Sequence, residues 1–112
     1  MEKRKFERIV LELPVSFSGA GVAGGGLISG LSEQGCKMVS DELMLAGMVV
    51  TLHIQLPEQY APLKVDLAEV RWAQGEECGI EFQRVRLEEK QRLQRFLGAF
   101  HRLRDGGYRQ AG

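Results

Sequence analysis

The sequence predicts a mainly β domain, a six-stranded antiparallel barrel with a C-terminal α-helix and a flexible N-terminal arm. Three observations carry this expectation. Short stretches with alternating apolar and polar residues recur across residues 11–83. Glycine, proline or polar turn signals separate each stretch from the next. From Leu87 the apolar period lengthens from that of a strand to that of a helix and stays so to Leu103. Several short strands followed by one amphipathic helix need closure, and a small barrel with the helix across its mouth provides it.

Residues 1–10 are charged and have no core-facing period beyond Phe6, Ile9 and Val10, so an arm that docks conditionally is expected. Leu11, Leu13, Val15 and Phe17 then alternate with Glu12, Pro14, Ser16 and Ser18, which predicts a half-buried strand. Pro14 removes a ladder N–H and predicts an edge or a bulge there. The glycine-rich stretch 19–26 reads as a hairpin connection. It lacks Gly-Lys-Ser/Thr and a following helical pattern, which excludes a phosphate-binding P-loop.

Residues 27–32 form the second strand, with Gly30 and Ser32 on one face and Leu31 on the other. Glu33-Gln34-Gly35 turns the chain, with Gly35 expected in the left-handed conformation, and Cys36, Met38 and Val39 begin a third strand. A connection over 40–47 carries Leu43 and Leu45. The clearest strand spans 48–56, where Val50, Leu52, Ile54 and Leu56 share one parity. After a proline-bounded loop, residues 63–73 form a long strand. Its apolar parity switches near Leu67-Ala68, a bulge of the kind that barrel closure requires. Gln74-Gly75-Glu76-Glu77 turns into a last strand over 78–82, where Ile80 and Phe82 face the core. The helix is predicted over 87–104, with Leu93, Phe96, Leu97, Phe100 and Leu103 on one stripe. Asp105-Gly106-Gly107 is expected to end it, and residues 108–112 to fray. The stripe is broad enough to serve a homodimer as well as the barrel's own core.

The 112 residues make one domain (1–112), comprising the arm, a barrel over 11–83 and the helix. Fifteen Lys+Arg balance fifteen Asp+Glu, so bulk nucleic acid and membrane are not indicated as partners. The distribution is uneven. Residues 1–8 sum to +4 − 2 = +2, residues 84–105 to +7 − 3 = +4, and residues 9–83 to +3 − 10 = −7. Basic ends around an acidic body suit a small anion at the arm. Cys36 and Cys78 have no CxxC spacing and no histidine nearby in sequence, so both are expected as buried, reduced thiols. With no signal-peptide pattern, and an apolar run over 43–52 far short of the roughly 20 residues a membrane helix needs, a cytoplasmic location is expected.

Two pieces point to a ligand. Arg4 and Arg8 offer planar forks of N–H donors that suit phosphate oxygens or a guanine edge. Gly30-Leu31-Ser32-Glu33-Gln34-Gly35 offers a hydroxyl and closely approachable backbone N–H groups. No Ser-His-Asp arrangement, metal-ligand cluster or carboxylate pair is marked out by spacing, and no catalytic or metal residue is assigned. Phe17, Trp72 and Phe82 all fall on core-compatible parities, so a base-stacking series for single-stranded nucleic acid is not expected.

In this order the motifs resemble the PilZ domain family. Its RxxxR signature is matched by Arg4-Lys5-Phe6-Glu7-Arg8 and its [D/N]xSxxG by residues 30–35. Glu69-Val70-Arg71-Trp72, Cys78-Gly79-Ile80-Glu81-Phe82 and the final helix follow as in the family. The resemblance implies a PilZ-like split barrel that binds the bacterial second messenger cyclic di-GMP without catalysis or a cofactor. It implies that Arg4 and Arg8 engage guanine and phosphate, that Ser32 and Gly35 hold base and sugar-phosphate, and that the arm folds over the ligand to signal to an effector protein. A basic residue before RxxxR, here Lys3, is compatible with an intercalated ligand pair. One departure stands out. Gly30 replaces the Asp or Asn that helps recognise guanine and orient an arginine in the family. Losing a polar contact costs about 1–3 kcal/mol, roughly ten- to a hundredfold in affinity. The alternative expectation is therefore a protein-interaction module that binds cyclic di-GMP weakly or not at all.

Overall fold

The structure, a computed structural model, describes residues 11–57 and 59–111, with side chains described to residue 100. The predicted arm, residues 1–10, lies outside the described residues. The elements run β1 (Leu13–Gly19), β2 (Val22–Leu31), β3 (Gly35–Ser40), β4 (Val49–Ile54), β5 (Leu63–Gln74), β6 (Glu77–Arg84) and α1 (Leu87–Ala111). The six strands close into one barrel in the order β1-β2-β3-β6-β5-β4, every neighbouring pair antiparallel. Closure gives each of the six described strands two neighbours, so none of them is the free edge strand of an open sheet.

The alternating residues account for the core. Val15 and Phe17 of β1, Val50, Leu52 and Ile54 of β4, Val65 of β5 and Ile80 of β6 all point inward and are buried. Leu56, just beyond β4, is buried as well. From the connection after β3 it is Met44 that turns in, while Leu43 and Leu45 stay exposed. Leu93 and Leu97 of α1 join the same core, and Phe96 and Phe100 pack against it with ring centroids 6.4 Å apart. The helix start is tied to the barrel by polar contacts. Glu89 Oε1 accepts the Lys64 N–H at 2.8 Å, and Arg92 donates to the Ala61 and Pro62 carbonyls at 2.6 and 3.2 Å.

Cys36 and Cys78 lie buried in the core on β3 and β6. Burial raises the Cys78 thiol above its ordinary value of 9.0, and the neighbouring Glu77 carboxylate adds to the shift.

Four expectations are corrected. Most of the glycine-rich stretch 19–26 is strand. Only Ala20 and Gly21 turn the chain, both with positive φ, and residues 22–26 pair with β1. Glycine composition hid this, because a strand held by backbone bonds to its hairpin partner needs no side chains of its own. Secondly, β1 is not an edge, since it pairs with β2 and β4. Pro14 is tolerated because the β1–β4 register stops at Val15–Ile54, with only the Gln55 N–H reaching back to the Pro14 carbonyl at 2.9 Å. Thirdly, α1 continues through Gly106 and Gly107 to Ala111. A helical glycine costs about 1 kcal/mol relative to alanine but keeps its backbone bonds, so composition alone does not end a helix. Fourthly, β5 carries two register shifts, the expected one at Leu67/Ala68 and another at Val70/Trp72.

Candidate ligand-binding face

The β2–β3 turn is closed by the chain's own polar groups. The Ser32 N–H donates to the Gly35 carbonyl at 2.9 Å, and the Ser32 hydroxyl donates to the same oxygen at 3.3 Å. Ser32 Oγ also accepts the Gln34 N–H at 3.2 Å. Ser32 is therefore 4% exposed and acts first as the turn's internal brace. Gly35 is buried too, but not in the left-handed conformation predicted for it: that region is occupied here by Gly19, Ala20, Gly21, Gly47 and Gly75. What requires glycine at position 35 is close approach. A Cβ there would collide with the Ile80 carbonyl oxygen, where β3 pairs with β6 at Gly35–Glu81.

Just before the turn β2 is bulged. Ile28 pairs with Met38, and the next pair is Gly30–Lys37, leaving Ser29 as the extra residue. Ile28 and Leu31 are both fully buried in the core, so the two residues between them, Ser29 and Gly30, share the outer face. The register then runs Gly30–Lys37 across β2 and β3, Lys37–Gly79 across β3 and β6, and Gly79–Trp72 across β6 and β5. Two glycines, an ammonium and an indole thus form one row on the outside of the barrel.

Trp72 lies flat over Gly79. A Cβ on Gly79 would strike the indole at Nε1, Cε2 and Cδ1, so the glycine backbone serves as the floor for the ring. The indole remains 40% exposed. Beside it, Glu69 and Glu81 face each other across β5 and β6, a repulsive pairing by itself. Arg71 Nη1 bridges both carboxylates, at 3.5 Å to Glu69 and 3.1 Å to Glu81. Gln83 Nε2 donates to the same two residues at 3.1 and 3.2 Å. Lys37 pairs with Glu77 at 3.3 Å. These exposed pairs are each worth under about 1 kcal/mol and re-pair readily, so the cations stay usable by an incoming anion. Gln34, Gly35, Arg71, Trp72, Gly79, Ile80 and Glu81 line a shallow groove of about 190 Å³ between the turn and the indole.

The predicted residues fare unequally. Gly30, Ser32 and Gly35 are brought to one rim of this face, whereas Lys3, Arg4 and Arg8 lie outside the described residues. Lys37, Arg71 and Trp72 were not anticipated. Trp72 was expected to face the core because its parity matches Ala68 and Val70. The bulge at Val70/Trp72 inserts Arg71 and turns the indole outward. An isolated glycine inside the facing strand, Gly79, was the available signal for a close approach of this kind. Phe17 is buried as expected, and Phe82 packs partly against the core.

A roomier cleft of about 430 Å³, lined by His53, Lys64, Arg86, Glu88, Glu89 and Arg92, opens at the start of α1. Its three cations are already paired: Arg86 with Asp66 at 3.2 Å, Arg92 with Glu89 at 3.1 Å and Lys64 with Asp66 at 3.8 Å. We read it as the seam that docks the helix. Among the described residues no group of His, Cys, Asp and Glu is placed to hold a metal ion, and no helix is long and apolar enough to cross a membrane.

The family model for the PilZ domain matches residues 2–99. This chain belongs to the PilZ domain family, the receptor family for cyclic di-GMP. Solved structures share the fold. The PilZ domain of CeSA from a cellulose-synthesizing bacterium aligns with TM-score 0.66 and 16% identity, covering 85% of this chain and 98% of that one. The Bacillus subtilis inhibitor of motility, MotI/DgrA, aligns with TM-score 0.70 and 20% identity, covering 88% of this chain and 52% of that one. This PilZ domain thus corresponds to about half of the inhibitor's length. At these identities the likeness is one of fold. No curated protein matches the chain significantly.

Proposed function

We propose that this PilZ domain is a non-enzymatic receptor that binds cyclic di-GMP on the face formed by Gly30, Lys37, Gly79 and Trp72, and signals to an effector protein when its arm closes. The observation that carries the reading is that row itself. It joins an exposed indole to a cation beside the braced Ser32–Gly35 turn.

The ligand has two guanines and two phosphates, and each finds a chemical match. An exposed indole stacks on a base with about 1–3 kcal/mol of stabilisation. Arg4 and Arg8 supply bidentate donors to phosphate and to the guanine O6/N7 edge. Gly35 allows close approach at the rim of the turn, and Ser32 Oγ holds that rim in shape. Lys3 adds positive charge next to RxxxR, in keeping with a stacked ligand pair. Ordering of the arm is the output. Ligand charge stabilises one arm conformation over the others, and the ligand shifts that equilibrium only by its differential affinity for it.

Isothermal titration with cyclic di-GMP tests this. The expected outcome is saturable binding in the micromolar range, abolished by Arg4→Ala or Arg8→Ala and weakened about tenfold or more by Trp72→Ala. No heat at high micromolar ligand would sink the proposal.

A second reading is favoured by Gly30 together with Ser32. Position 30 has no polar side chain, and the Ser32 hydroxyl is already bonded within its own turn. On that reading the barrel is a protein-interaction module, the wild type binds poorly, and Gly30→Asp creates or greatly strengthens binding. Tight wild-type binding would rule it out.

A further inference from the structure

We propose that the barrel end crossed by residues 41–48 is a docking surface for a partner protein that presents basic side chains around an apolar centre. This surface uses none of the residues assigned to the ligand, so its occupancy does not depend on the receptor reading. The topology dictates it. In the barrel order β3 and β4 are separated by two strands whichever way round they are counted, so the chain joining them has to span the mouth. Met44 turns inward and plugs that mouth, and its two neighbours then point away from the core. Leu43 is 73% exposed and Leu45 56% exposed. Here β6 begins, whereas α1 follows its far end, so the helix does not cover these leucines.

The exposure is held in place by the backbone around it. Ser40 Oγ donates to the Gly25 carbonyl at 2.9 Å and accepts the Glu42 N–H at 3.1 Å. The Met48 N–H donates to the Leu45 carbonyl at 3.1 Å, and the Gly47 N–H to the Val70 carbonyl at 2.7 Å. The Val70 N–H returns to the Met48 carbonyl at 2.8 Å. A lone exposed leucine is ordinary. Two of them on either side of a buried plug, on a backbone pinned at both ends, form an apolar anchor that needs little further ordering to bind.

The rim of the same end decides what binds. Asp41 and Glu42 belong to the connection, and the Ser40 N–H donates to the Glu76 carbonyl at 2.9 Å, which brings the β5–β6 turn beside them. Glu77 is engaged by Lys37, but Asp41, Glu42 and Glu76 form no ion pair among the described residues. Uncompensated carboxylates repel anionic lipid and the phosphates of nucleic acid, so the leucines are not anchors for either. A second copy docked by a two-fold axis would set these carboxylates against their like, and a head-to-tail contact would run on into rings or filaments. A different protein, with lysine or arginine ringing apolar side chains, matches both the centre and the rim.

Fluorescence anisotropy with a labelled amphipathic Leu/Lys peptide tests this, beside a Ser/Lys peptide of equal charge and phosphatidylglycerol vesicles. Wild type is expected to bind the Leu/Lys peptide about tenfold more tightly than the Ser/Lys peptide and to stay off the vesicles. Amide shifts on binding should gather at residues 41–49 and 75–76. Leu43→Ser with Leu45→Ser, and separately Asp41→Lys with Glu76→Lys, should each weaken the Leu/Lys peptide about tenfold and melt within about two degrees of wild type. Equal affinity for the two peptides would overturn the proposal, as would shifts gathered at Glu88 and Glu89. Vesicle binding would assign the leucines to a membrane, and self-association abolished by the serine substitutions would assign them to a second copy. Either result overturns the partner named. A melting temperature several degrees lower in the serine variant would place the leucines in the core and overturn the surface itself.

Discussion

Gly35→Ala separates a glycine needed for close approach from one needed for a turn. The added Cβ would meet the Ile80 carbonyl oxygen and lie 3.1 Å from Ile80 C and 3.2 Å from Glu81 Cα. All three are backbone atoms of β6, so no side chain can swing aside, and β3 and β6 must part at the Gly35–Glu81 pair. Overpacking of this kind costs about 1–3 kcal/mol. Parting also weakens the bond from the Phe82 N–H to the Gln34 carbonyl, at 2.8 Å, and the turn bond from Ser32 to Gly35, at 2.9 Å. Each contributes about 1 kcal/mol. The reduced freedom of the unfolded alanine chain returns about 0.4–1 kcal/mol. The net expectation is a loss of about 2–4 kcal/mol, a large share of the roughly 5–15 kcal/mol that holds a domain together. Urea unfolding followed by tryptophan fluorescence measures it, Trp72 being the one tryptophan in the chain. At about 1–2 kcal/mol per molar urea the midpoint should fall by about 1–4 M. Gly25→Ala is the control, since its Cβ would meet the Val15 carbonyl oxygen at an ordinary 3.4 Å, and it should stay within about 0.5 kcal/mol of wild type. A Gly35→Ala midpoint indistinguishable from that control would refute the close-approach argument.

Gly79→Ala should lift the Trp72 indole off its backbone floor, shifting the emission maximum to the red and costing about 1–2 kcal/mol; unchanged emission would contradict the packing described. Leu93→Ala should cost about 2–4 kcal/mol because Leu93 is 2% exposed in the barrel core, and a loss below 1 kcal/mol would mean that the helix is only loosely attached. The raised Cys78 pKa sets an alkaline limit. Above the ordinary value of 9.0 the unfolded thiol ionises while the folded one keeps its proton, so the native state binds more protons and stability falls as pH rises. The stability of wild type relative to Cys78→Val should therefore shrink above that pH, and a constant difference in urea unfolding across it would disprove the linkage.

Much of the barrel was legible because its strands obey a simple rule. Val50, Leu52 and Ile54 alternate inward without interruption, and the bulge near Leu67-Ala68 announced itself as a change of parity. The helix stripe was equally plain, and Leu93 and Leu97 occupy the core as its spacing required. What escaped depended on backbone meeting backbone. Residues 22–26 carry little apolar pattern, yet they are held as strand by backbone pairing with β1. The bulges at Ser29 and Arg71 leave no compositional mark, although each re-aims a neighbouring side chain. For that reason Gly30, Ser32 and Gly35 could be named from their motif, whereas Lys37 and Trp72 required the register of four strands. The reason for Gly35 was also misread, because a turn glycine and a close-approach glycine look alike in one dimension.

Amide chemical shifts recorded during a titration with cyclic di-GMP test the receptor account most directly. It predicts saturable shifts that cluster at Gly30, Ser32, Gly35, Lys37, Gly79 and the Trp72 indole N–H, together with new, dispersed signals from residues 3–8. Shifts confined to the cleft at the start of α1, or no shifts at high micromolar ligand, would contradict it.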